Sequence, residues 1–245
     1  MMRHDLRMWL HQQLIGRRLR SIECRLVPVA IEYEKRHEPD VVGAQIALAL
    51  RGLAAAQTAN ALFRRGFRQE AEMAQRVFLE SWIVMMHFEW FGYDRFFRRW
   101  WDKPFTWLSE RELKFKARVQ AEFIRRYGNP IPVLPVKGFF NQLSNASVHP
   151  TRQSTWNAHV EAKRRHSLLE TIDGLDTVKL AAMYVTLGQL RFLVHLSFFL
   201  RFLADWQKVH QTVPTVDSEW KWLDNLLHSN ATEYQKQLNL WAWMD

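Results

Sequence analysis

The chain has 245 residues, 48% of them hydrophobic and 24% charged, with nine Gly and eight Pro. That is the make-up of a globular domain with a sizeable core, and it excludes a disordered, low-complexity or collagen-like chain. A single cysteine, Cys24, excludes an intramolecular disulfide framework and a cysteine-rich zinc site. The formal charge of +9 points to an anionic partner, with nucleic acid the commonest choice. That charge is uneven: six acids against three bases from Asp205 onward leave +12 on the rest.

Apolar residues recur at three- and four-residue spacings from the first turn. Leu6, Trp9, Leu10 and Leu14 predict a helix over 6–24. Pro28 and Pro39 then predict a break and a second short helix ending near His37. A long Ala- and Leu-rich helix follows from an Asp40 cap to about Arg65, with Gly66 at its C-terminal turn. The next helix spans 67–91 and is broken by Gly92. After the aromatic stretch 96–107, Ser109 and Glu112 form a capping box for a helix through Tyr127, which Gly128-Asn129-Pro130 stops.

Residues 130–136 are too proline-rich for a helix. Short helices are expected over 138–148 and 155–171. Asp176 or Thr177 then caps a long apolar helix to about Trp206, and two shorter helices separate near Ser229-Asn230. Nothing alternates with period two, and no internal repeat or polar linker divides the chain. The expectation is one all-α helical domain over 1–245, with a core at about 40–205 and an acidic, Trp-rich tail at 206–245. Met1 to Asp5 lacks the apolar segment of a secretory signal, and Arg191, His195 and Arg201 interrupt the apolar run 180–203. A cytoplasmic protein without a membrane span is expected.

Dinucleotide-binding, P-loop, zincin and nucleophile-elbow signatures are absent. His159 and His166 share a helix face but lie too far apart for easy shared ligation. Glu34 and His37 form a lone Glu-x-x-His pair, where a bundle metal site needs two. No metal or cofactor is expected. His87 and His195 fall within apolar helices and read as core histidines.

Two segments stand out. Arg76 and Glu80, four apart on one helix, flank Val77, Phe78 and Leu79, so this ion pair is expected at the edge of the core. In Leu143-Ser144-Asn145-Ala146-Ser147-Val148-His149-Pro150, His149 ends a short helix before a proline. The negative helix end favours its protonated form, and the proline fixes its place. Basic clusters at Arg64, Arg65 and Arg68, and at Arg95, Arg98 and Arg99, offer phosphate contacts. Phe96, Phe97, Trp100 and Trp101 beside the second cluster either stack bases or pack inward.

Together these segments resemble the HEPN-like helical superfamily, in the branch with a leucine-serine…histidine-proline signature. The resemblance rests on the Gly66 turn, Arg76-x-x-x-Glu80, Asp94-Arg95-Phe96, Leu143-Ser144 and His149-Pro150, and covers about 40–205. It implies a HEPN-like helical bundle, here with additional N- and C-terminal helices, that forms a homodimer. It also implies a metal-independent endoribonuclease of a toxin or antiphage defence system.

The implied catalytic residues are His149, Arg76, Glu80 and Ser144. Arg64, Arg65, Arg68, Arg95, Arg98, Arg99 and Arg152 would bind RNA. The chain departs from the family's R-x(4–6)-H motif, since Gln142, Leu143 and Ser144 stand where the arginine belongs. Arg152 and His159 match that spacing, but after the proline. Arg76 is therefore the candidate cation. The alternative is a catalytically inactive interaction module whose Trp220, Trp222, Trp241 and Trp243 dock on a protein partner, or on the chain's own basic bundle.

Overall fold

The structure, a computed structural model, describes residues 2–36, 41–91, 114–128, 175–211 and 216–229. All regular structure among these residues is helical: α1 (Met2–Arg36), α2 (Val41–Arg64), α3 (Arg68–Phe91), α4 (Lys114–Tyr127), α5 (Leu175–His210) and α6 (Asp217–Ser229). The all-α expectation holds for them.

The first two expected helices are one. α1 continues through Pro28, although the missing N–H removes a helical bond and costs about 3 kcal/mol. Ile15, Leu19, Ile22 and Leu26 lie on one stripe and are each at most 2% exposed. Burying four such side chains is worth about 1.5–3 kcal/mol each, so packing outweighs the proline.

α2 and α3 form the centre. α2 buries Ala44, Ala49, Ala56 and Ala59 with Leu53 and Phe63, and these small side chains let α1 and α3 approach from two sides. Gln57 of α2 donates to Glu23 of α1 at 2.6 Å. Gly66, at φ 81°, ends α2. Its N–H bonds the Phe63 carbonyl at 3.0 Å and the Phe67 N–H bonds Leu62 at 3.0 Å, the paired pattern of a Schellman cap. The chain thereby turns back at once, and α3 runs antiparallel to α2. Gly128, at φ 74°, ends α4 with a single bond to Ile124.

α5 closes the core. Phe78 of α3 meets Phe192 and Phe199 of α5 edge-on at 6.2 and 5.4 Å and stacks on Trp82 at 6.2 Å. Phe123 of α4 joins through Trp82 and Phe198. Offset and edge-to-face rings suit the aromatic quadrupole, so this seam fixes the relative placement of three helices. α5 runs one turn beyond the expected end at Trp206, to His210, and Gln211 turns the chain at φ 49°. Trp206 is buried and His210 Nε2 contacts Glu89 at 2.8 Å, so tertiary contacts hold the extra turn. α6 then packs chiefly on α5.

By length and composition α2 is, among the described residues, the one helix apolar enough to cross a bilayer, with half of that window buried inside the bundle.

Candidate functional site

α3 carries two Arg-x-x-x-Glu pairs two turns apart, and their surroundings differ. Arg76 Nε lies 3.3 Å from Glu80 Oε1, with the side chains 27% and 29% exposed. This is the core-edge position expected from the sequence. Arg68 Nε lies 2.5 Å from Glu72 Oε1, with both side chains 4% exposed.

The buried pair was missed, although a signal existed. Arg68, Glu72 and Gln75 fall in phase with Leu79, Trp82 and Met86 on the stripe that α3 turns inward. Three polar residues thus stand at core positions, whereas Arg76 and Glu80 are one residue out of phase.

The buried pair shapes the end of the bundle. Gly188 of α5 sits over it, and a Cβ there would meet Phe63 at 3.0 Å and Arg68 Nε at 3.1 Å. Next to it, Gln189 Nε2 donates to the Phe63 carbonyl at 3.3 Å. α5 therefore seats directly on the α2–α3 turn. Arg64 and Arg65 are exposed there, but Arg68 faces inward, so the structure does not bring these three expected RNA contacts onto one surface.

One helical turn further, Gln75 and His195 meet in the core. His87 and His195 are 3% and 4% exposed, as expected for core histidines. His195 Nδ1 lies 2.7 Å from the Arg191 carbonyl, which can only accept, so Nδ1 carries the proton. Gln75 Nε2 lies 3.4 Å from the same nitrogen. Two donors cannot bond each other, so the Gln75 amide fits better flipped, which turns Oε1, otherwise without a hydrogen-bond partner, toward that N–H. Burial pushes the His195 pKa down to about 4; the hydrogen bond to the Arg191 carbonyl opposes that shift, and the Arg191 charge adds to it. The ring is neutral at pH 7.

At the other end, α6 lies against basic side chains of α1 and α5. Glu219, 7% exposed, forms an ion pair with Arg25 of α1. Asp217 pairs with Lys208 of α5 at 3.0 Å, which holds Lys208 above its ordinary range. The Arg18 guanidinium stands 4.4 Å over the Trp222 ring. Arg201 lies 5.4 Å from the Trp220 ring and 4.9 Å from that of Tyr127. Of the two arrangements expected for these tryptophans, Trp220 and Trp222 adopt the second and dock on the chain's own bundle. Only the tertiary fold joins Arg18, Arg25 and Arg201 into one surface, and no local sequence pattern signals it.

His149, Ser144, Arg95, Arg98, Arg99 and Arg152 lie outside the described residues, as do His159, His166, Trp241 and Trp243. Among the described residues, no three His, Cys, Asp or Glu side chains converge as metal ligands would. Comparison with family models, with curated proteins and with solved structures returns no match.

Proposed function

We propose that this chain is an RNA-directed protein of the HEPN-like kind, acting as a metal-independent endoribonuclease in toxin or antiphage defence. The observation that supports this reading is the Arg76–Glu80 pair, held more than a quarter exposed at the edge of the α2–α3 hairpin. Cleavage without a metal needs a base to take the ribose 2′-hydroxyl proton and a cation for the charge that builds on the phosphate. His149 is the proposed base and Arg76 the proposed cation. The attacking 2′-oxygen displaces the 5′-oxygen, which leaves as a hydroxyl carrying the proton that His149 took, and the other product is a 2′,3′-cyclic phosphate. The proposed protein is a cytoplasmic homodimer, and the net charge of +9 favours capture of the substrate.

The test is incubation of wild type, His149→Ala and Arg76→Ala with labelled total RNA in EDTA. Wild type is expected to cleave. Each variant should lose about 10²-fold or more, the usual contribution of a general base or a charge-stabilising group. A wild type that leaves RNA intact and shows no RNA affinity at low salt overturns the reading. A second reading is an inactive helical interaction module. It is favoured by one observation, that Glu80 already balances the charge of Arg76.

A further inference from the structure

α6 is matched to its seat in an unusual order. Four neighbouring residues of the helix engage four basic side chains: Asp217 with Lys208, Glu219 with Arg25, Trp220 with Arg201, and Trp222 with Arg18. Carboxylates and planar rings thus share one row of cations. A single-stranded nucleic acid offers the same two chemistries, phosphates for ion pairing and bases for stacking on guanidinium planes. The helix itself carries three acids and one lysine, opposite in sign to the rest of the chain.

Its attachment is lighter than that of the central helix α2. Over 216–229 the fully buried apolar side chains are Val216, Leu223 and Leu227, whereas α2 buries residues along its whole length. The packing beneath Trp222 is imperfect. Ile15 and Leu19 of α1, Leu196 and Leu200 of α5, and Trp222 line a cavity of about 10 Å³, room for about one water. An element held by three buried apolar side chains and by ion pairs whose basic partners are partly exposed opens more readily than one buried along its whole length.

We infer that α6 is a releasable cover over an arginine-lined groove between α1 and α5, and that this groove takes single-stranded RNA when α6 swings away. The inference rests on the RNA-directed reading above and adds a location and a control to it. Arg18, Arg25 and Arg201 bind the strand, and the carboxylates and indoles of α6 compete with it. Bound RNA and docked α6 exclude each other.

The experiment uses the full chain and a labelled oligoadenylate, with affinity read by anisotropy and opening of α6 read by hydrogen exchange. Glu219→Gln combined with Trp222→Ala weakens the latch. Faster exchange over 217–229 with unchanged protection of α2 and α3 is expected. Affinity for the oligonucleotide should rise about tenfold, because a competing closed state is removed. Adding Arg18→Gln and Arg25→Gln should abolish that gain.

Exchange of α6 only through global unfolding, in wild type and variant alike, overturns the cover. RNA binding by wild type that neither the latch nor the arginine substitutions change also overturns it, while leaving the RNA-directed reading in place. Release of α6 with no RNA binding by any form overturns the RNA-directed reading itself and assigns the groove to a protein segment.

Discussion

Two ion pairs of identical spacing on one helix, Arg68–Glu72 and Arg76–Glu80, have different physical status. The first is 4% exposed on both sides and roofed by Gly188. The second is more than a quarter exposed on both sides. Water solvates the second pair whether or not it forms, so its net worth is small. The first has lost its water, and each charge relies on protein partners. The same four residues of spacing therefore encode a structural element in one place and an accessible charge in the other. The four-residue phase of α3 against the core decides which.

Breaking the buried pair gives the largest expected effect. Glu72→Ala leaves the Arg68 guanidinium buried without its carboxylate, and should cost about 3–5 kcal/mol in chemical denaturation. Replacing both residues with apolar side chains of similar volume, Arg68→Met with Glu72→Leu, should recover most of that loss. A double variant as unstable as Glu72→Ala would show that the pair does more than satisfy itself.

The next effect lies one turn along, at His195. Its folded pKa of about 4 is below the ordinary 6.5, so the unfolded chain takes up the proton first as pH falls. Stability from this group is complete above about pH 6.5 and is lost progressively down to pH 4. The loss should reach about 2 kcal/mol by pH 5. Denaturation of wild type and His195→Leu at pH 7.5 and pH 5 measures it. The variant should lack this share of the slope, and equal slopes would mean that water reaches the ring.

The contrast also shows what was legible in the sequence. The 3.6-residue period and the Gly66 and Gly128 stops were enough for the class and for the ends of α2 and α4. The break at Pro28 was misjudged, because a local signal worth about 3 kcal/mol lost to a buried stripe that only the partner helix makes visible. At the candidate site, the edge position of Arg76 and Glu80 could be read from the flanking Val77, Phe78 and Leu79. The burial of Arg68 could have been read from its phase with Trp82 and Met86. The seat of α6 could not, since Arg25 and Glu219 are distant in sequence and no local pattern ties them together.

The smallest effect on stability separates the two pairs by function. Glu80→Gln and Arg76→Ala should each change stability by no more than about 1 kcal/mol, and by less in high salt. Their effects on RNA should be opposite. Removing the Glu80 charge unbalances Arg76 and should tighten RNA binding, whereas Arg76→Ala should weaken it. The salt dependence gives the sharper measure. A cation that neutralises a phosphate of a single strand contributes about 0.7 to the slope of log affinity against log salt concentration. Arg76→Ala should therefore flatten that slope by about 0.7. A change in affinity with no change in slope would mean that Arg76 acts by positioning its neighbours. In that case the two pairs of α3 would differ in burial but not in kind.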